Sequence, residues 1–150
     1  MEIIWSNLAR LTGFPAEILV LAIVLIATGK KNWRRAIITI LAFILFRLAG
    51  EIIKEAVASP RICWREGVKT LIPCPDNFAF PSGHALGSAL IASIVSLIYR
   101  RKLILISAWA ITFLIAVSRV AVGVHSPIDV VGGIIMGIAF GFAIWKFYWV

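Results

Sequence analysis

Five apolar blocks, separated by short polar turns and one long loop, leave this chain little choice of architecture. They run from Phe14 to Thr28, Ala36 to Gly50, Ala85 to Tyr99, Leu103 to Val117 and Ile128 to Trp145. The uninterrupted runs fall short of the roughly 20 residues that a bilayer-spanning helix needs, but each block extends into less apolar flanks. With 61% hydrophobic residues and a mean hydropathy of +1.00, the chain exceeds the roughly 45–50% apolar content of soluble domains. That excess needs a bilayer or an obligate assembly to bury it. The expected fold is an all-α, polytopic membrane helix bundle. It has about five transmembrane helices in a single membrane-embedded domain covering residues 1–150. The segment Met1–Thr12, in which Ile3, Ile4, Trp5 and Leu8 alternate with Glu2, Asn7 and Arg10, reads as an interfacial helix or a frayed start. It lacks the basic n-region and cleavage site of a signal peptide.

The placement of charge orients the zigzag. Lys30, Lys31, Arg34 and Arg35 fill the first turn between helices, Arg100, Arg101 and Lys102 the third, and Lys146 lies near the C-terminus. All fall on one side, and the acidic residues lie towards the other. The positive-inside rule makes the basic turns and the C-terminus cytoplasmic and the N-terminus external. Two short basic turns abutting apolar spans form no nucleic-acid surface, so none is expected as a partner. The expected location is the cell (inner) membrane, multi-pass.

The longest connection, about residues 57–81, is then external. It holds both cysteines, Cys63 and Cys74, which on an oxidising face either close a disulfide or remain free thiols. Without further cysteines or clustered histidines they give no zinc signature. Prolines at 60, 73, 75 and 81 oppose helix through most of this loop.

Polar residues gather at four helix ends on that same external side. Lys54 and Arg61 lie at and beyond the end of the second helix, Pro81-Ser82-Gly83-His84 begins the third, Ser118-Arg119 closes the fourth, and His125-Ser126-Pro127-Ile128-Asp129 opens the fifth. Each has an ordinary structural explanation: a snorkelling lysine, an Arg61–Glu66 pair, an N-cap serine, an acid in a first helical turn. Together they put both histidines of the chain and three cations in one plane. Guanidinium forks suit phosphate oxygens, Ser82 adds a hydroxyl, and the N–H groups of Gly83 and His84 at a helix start favour an anion. This is an oxyanion site suited to phosphoryl transfer. Asp129, four residues after His125, can hold the proton of one ring nitrogen and leave the other free to attack phosphorus. His125 is thus the expected nucleophile, forming a phosphohistidine. His84 is the expected general acid. No carboxylate cluster suggests metal ligands, so a metal-independent reaction without cofactor is expected.

These residues resemble the three-part signature of the type 2 phosphatidic acid phosphatase superfamily, which also includes vanadium haloperoxidases. The pattern K-x6-R-P is met by Lys54 and Arg61, P-S-G-H by Pro81 to His84, and S-R-x5-H-x3-D by Ser118-Arg119, His125 and Asp129. One departure stands out: Ile62 replaces the proline expected after Arg61, and Pro60 precedes it. The resemblance implies the same roles for these residues, a sixth helix before Lys54, and lipid phosphates or diphosphates as substrates. Undecaprenyl diphosphate, the 1-phosphate of lipid A, phosphatidylglycerophosphate and phosphatidic acid are the candidates, and an external site suits the first two better. A lipid phosphotransferase using the same phosphohistidine, and a non-catalytic lipid-binding or translocating protein, are the competing functions.

Two features lie outside the signature. Arg47, Glu51 and Glu55 share a face of the second helix with Lys54; Glu51 is expected either to neutralise Arg47 and brace Lys54 or to serve the site. Gly133, Gly137 and Gly141, with Gly132, make a small-residue face suited to internal packing or to a dimer seam.

Overall fold

The computed structural model describes residues 1–11, 18, 21–22 and 33–148. Most of the first apolar block and Lys30 and Lys31 lie outside the described residues. Among the described residues the helices with stated bounds are, in chain order, α1 (Glu2–Leu11), α2 (Trp33–Val57), α3 (Gly83–Ile98), α4 (Lys102–Ala121) and α5 (Pro127–Tyr148). A short 3-10 turn, Ile62–Trp64, interrupts the loop between α2 and α3. The chain is all-helical where described, and α2, α4 and the Pro127–Trp145 part of α5 are each long and apolar enough to cross a membrane. Before α2 lies α1, whose 10 residues rise about 15 Å, too little to span.

The bundle is built around its shortest apolar helix. The 16 residues of α3 rise about 24 Å, less than the roughly 30 Å of a hydrocarbon core. Ala85 to Ala92 are all buried, so this helix meets protein rather than lipid on every side. Alanine, glycine and serine make up half of its sequence, which lets neighbours approach closely. The opposite holds for α2, where Ile40, Leu41, Ile44, Leu45, Leu48 and Ile52 stay exposed and form a lipid-facing wall. Phe43 of α2, Leu90 and Ile94 of α3 and Ile144 of α5 fill the core between them.

The glycine face of α5 is internal packing, not a free seam. A Cβ built on Gly133 would stand 2.6 Å from the Ser82 carbonyl oxygen, and one on Gly137 2.6 Å from that of Leu86. Gly132 meets the Phe80 ring and Gly141 the Ser93 side chain in the same way. The two backbones are therefore in close contact at Gly133 and Gly137. At the top of this seam the Ser82 N–H donates to the Asp129 carbonyl over 2.9 Å, locking the start of α3 to the first turn of α5.

The loop over this end is tied down at several points. Cys63 and Cys74 form a disulfide with Cα atoms 6.0 Å apart. Trp64 Nε1 donates to the Pro75 carbonyl (3.0 Å), the Leu71 N–H to that of Val122 (3.1 Å), and the Ala79 N–H to that of Ser59 (2.8 Å). Gly123, with φ of 81°, takes the left-handed turn that ends α4, and His125 follows two residues later.

Replacing Gly137 with valine should therefore separate α3 from α5. Overpacking of this kind destabilises by about 1–3 kcal/mol, so the variant should unfold at lower temperature in detergent micelles. Leucine at the exposed, lipid-facing Ile135 should leave the transition within about 0.5 kcal/mol of the parent.

Candidate active site

The end of the bundle under the loop holds a cavity of about 280 Å³. Lys54, Arg61, Gly83, His84, Arg119 and His125 all line it, so six of the eight residues expected at the site share one pocket. Ser82 and Asp129 stand behind its wall, both buried. Lys54, Gly83, His84 and Arg119 arrive from helix ends, Arg47 from within α2, and Arg61 and Asn77 from the loop.

The three expected cations are 4% exposed each, and none is left without partners. Lys54 Nζ donates to both Glu51 carboxylate oxygens, at 3.0 and 3.1 Å. Lys54 is thus buried over the cavity rather than snorkelling, and Glu51, expected beside Arg47, lies on Lys54. Arg61 does not pair with Glu66 as its ordinary explanation supposed. Its Nε donates to the Asn77 carbonyl (2.7 Å) and its Nη2 to Asn77 Oδ1 (2.6 Å). Its Nη1 reaches the Val124 carbonyl (3.1 Å) and His125 Nε2 (3.2 Å). The displaced proline beside Arg61 has not moved it from the site. Arg119 Nη2 donates to the Ala9 carbonyl of α1 over 2.6 Å, and its Nε to Ser118 Oγ over 3.3 Å.

Arg61 also fixes the tautomer of His125. A guanidinium has no acceptor, so Nε2 must offer its lone pair to Arg61, and the proton of the neutral ring belongs on Nδ1. That nitrogen is 3.6 Å from Asp129 Oδ2, just beyond hydrogen-bond length. Asp129 Oδ2 meanwhile accepts the Ser126 N–H (2.7 Å), while Ser126 Oγ accepts the Asp129 N–H (3.2 Å). This reciprocal capping box, with Pro127 at the first helical position, starts α5 and holds the carboxylate below the imidazole. Asp129 therefore serves the helix start and faces His125 at once.

Burial, followed by the nearby charges of Arg61, Lys54 and Arg119, pushes His125 from 6.5 down to about 3, with a backbone contact to Ala79 pulling the other way. The ring is neutral, with a lone pair available, across the physiological range.

Ser82 is fully buried at the N-cap of α3, yet its hydroxyl makes no capping hydrogen bond and has no partner. A buried hydroxyl without a partner is disfavoured by about 1–3 kcal/mol, so capping does not account for it. Arg47, two turns before Lys54, also lines the cavity, and its Nη1 donates to the Gly83 carbonyl over 2.8 Å. Asn77 and the Ala9 carbonyl were not expected in the site. Asn77 reads in sequence as a turn residue, and Ala9 contributes only a backbone oxygen, which no side chain announces.

A recessed pocket with buried cations, a helix N-terminus and two imidazoles is carried here on helices of an integral membrane protein. The PAP2 superfamily model matches residues 35–150, and the chain belongs to that superfamily. It is 29% identical over 138 residues to phosphatidylglycerophosphatase B of Bacillus subtilis, covering 81% of this chain and 64% of that protein. Undecaprenyl-diphosphatase BcrC of the same organism is 35% identical over 107 residues, covering 67% of this chain and 53% of the relative. The chain thus spans between half and two thirds of the length of these relatives. Among solved structures, the transmembrane PAP2-type phosphatidylglycerolphosphate phosphatase from Bacillus subtilis superposes with a TM-score of 0.82 at 24% identity, over 98% of this chain and 76% of that one. Aquifex aeolicus LpxE superposes with 0.77 at 27% identity, over 97% and 85%.

Two outcomes test this geometry. Asn77→Ala removes the side-chain hydrogen bond that aims Arg61 and leaves the one to the backbone carbonyl, and orthovanadate binding should weaken about tenfold, taking roughly 1.5 kcal/mol for a charge-assisted bond. Isotope-labelled imidazole shifts should show His125 neutral from pH 8 down to below pH 5. Because its folded pKa lies below the unfolded value, the stability this group contributes is complete above about pH 6.5 and is lost as pH falls towards 3. A midpoint near 6.5 for His125 would contradict the burial.

Proposed function

We propose that this chain is a membrane lipid phosphatase that hydrolyses a lipid phosphate or diphosphate through a phosphohistidine. The observation that carries the reading is the lone pair of His125 Nε2, held at 3.2 Å from Arg61 in a pocket that also collects Lys54, Arg119 and His84. A neutral imidazole aimed into a cluster of cations is equipped to attack an anion.

Lys54, Arg61 and Arg119, with the Ser82 hydroxyl and the Gly83 N–H, bind the transferred phosphoryl oxygens. Arg61 leaves the His125 lone pair for the phosphate, and Nε2 forms a bond to phosphorus as the bond to the lipid oxygen breaks. Asp129 takes up the positive charge that develops on the ring through Nδ1–H. His84 donates a proton to the departing lipid oxygen, then accepts one from water as the water attacks the phosphohistidine. Inorganic phosphate leaves and both rings return to their starting state. The anionic substrate itself favours the protonated form of His84 while it is bound.

Three further points support the reading. The relatives named above act on phosphatidylglycerophosphate and undecaprenyl diphosphate by name. The Ser82 hydroxyl, buried without a partner, is a donor suited to an oxyanion. Cations line the pocket where metal ions stand in other phosphatases, which suits a metal-independent reaction. The whole of residues 1–150 acts as one domain. Arg100, Arg101 and Lys102 lie at the bundle end opposite the pocket, so the site faces the extracytoplasmic side and the C-terminus the cytoplasm.

The test is phosphate release from a panel of lipid phosphates and diphosphates in detergent. The parent chain should be active in EDTA and inhibited by vanadate. His125→Ala should lose at least about 10³-fold in kcat, and acid-labile phosphate should appear on the parent protein alone. Full activity in His125→Ala would remove the nucleophile, and activity abolished by EDTA would remove the metal-free mechanism.

A further inference from the structure

Arg47 is the one cation of the cavity outside the phosphoryl-transfer machinery. It sits two turns nearer the membrane centre than Lys54 on the same helix, a rise of about 10 Å. Its guanidinium nevertheless reaches the start of α3, where Nη1 meets the Gly83 carbonyl at 2.8 Å. A Cβ on Gly83 would stand only 3.1 Å from that nitrogen, so glycine is what lets the fork lie against the helix backbone next to His84.

The direction of this contact locates Arg47 in the pocket. Helix carbonyls point towards the C-terminus, so the Gly83 oxygen faces down α3, away from the N–H groups that would hold an anion. Arg47 meets it from the membrane side and forms the floor of the cavity. Arg61 and Asn77, from the loop, form the opposite side. A lipid substrate must keep its tail in the bilayer, and Arg47 is the lining cation on α2 nearer the membrane centre. His84, the proposed donor to the leaving oxygen, is the residue after Gly83.

We propose that Arg47 is a subsite for the second, non-transferred phosphate of a lipid diphosphate, and that it makes the pocket selective for diphosphates over monophosphates. The inference rests on the lipid phosphatase reading for the kind of ligand. Charge supports it. Arg47 adds a fourth cation to Lys54, Arg61 and Arg119 in the lining of the cavity. A lipid monophosphate carries about −1.5 to −2 and a diphosphate about one charge more, which a further cation favours. Chemistry supports it as well. When a diphosphate is cleaved the leaving group is itself a phosphate, whose growing charge a guanidinium stabilises; a monophosphate leaves a neutral alcohol, which needs no cation.

Binding without turnover tests this, using a farnesyl methylenediphosphonate and a farnesyl phosphonate on the same detergent-purified preparations. The parent chain should bind the diphosphonate at least about tenfold more tightly. Arg47→Gln should bring that ratio near one, and Arg47→Lys, which keeps the charge but loses the fork, should lower it about threefold. A ratio near one in the parent overturns the subsite. So does an Arg47→Gln or Arg47→Lys protein that loses affinity for both ligands in equal proportion, which would make Arg47 only a brace for Gly83. The phosphatase reading fails separately: a chain with the expected ratio that releases no phosphate from any lipid loses the hydrolase and keeps the subsite.

Discussion

Everything at the site depends on the contact between α3 and α5. Gly133 and Gly137 let the two backbones touch, so the end of one helix can be placed against the end of the other to within a fraction of an ångström. The Ser82–Asp129 backbone hydrogen bond at the top of that seam joins P-S-G-H to the segment bearing His125. Membrane interiors offer no hydrophobic drive for helices to associate, so close van der Waals packing of small residues has to supply it. Here the packing that holds the bundle together also sets the distance between two imidazoles.

The cations illustrate a second constraint. A guanidinium or ammonium taken out of water is strongly disfavoured unless hydrogen-bonded, and each one here is held by groups that orient it. Asn77 grips Arg61 by carbonyl and side chain, the Ala9 carbonyl holds Arg119, and the Glu51 carboxylate holds Lys54. Most of these partners are neutral, so they fix direction without consuming positive charge. Glu51 is the exception: its side chain is half exposed, where water moderates the attraction. The arrangement is organised before any anion arrives, the condition under which electrostatic stabilisation is strongest.

The architecture and the cluster at four helix ends were legible because both follow from local patterns: runs of apolar residues, basic turns, and polar residues at fixed spacing beside helix starts. Less was legible where a partner comes from afar or from the backbone. The Ala9–Arg119 and Asn77–Arg61 contacts span 110 and 16 residues, and nothing near Arg119 or Arg61 in sequence points to them. Glu51 was noticed, yet i,i+4 spacing to Arg47 and i,i+3 spacing to Lys54 are both permitted on a helix, and only the tertiary fold selects the second. That α3 is central was readable in principle from its alanine, glycine and serine, set against the leucine, isoleucine and phenylalanine of α2. Hydropathy alone does not separate a helix buried in protein from one that faces lipid.

The Ala9–Arg119 contact also bears on how the molecule comes into being. A chain is made from its N-terminus, so α1 exists long before Arg119 is available to it, and Arg61 waits 64 residues for His125. Neither wait can be shortened by local folding, since contacts so distant in sequence form only after the intervening helices have been inserted and packed. The His125 side of the pocket therefore closes only when α5 docks on α3. A chain halted partway through insertion carries every cation of the cluster but no imidazole beside Arg61, and so displays an anion trap without a nucleophile.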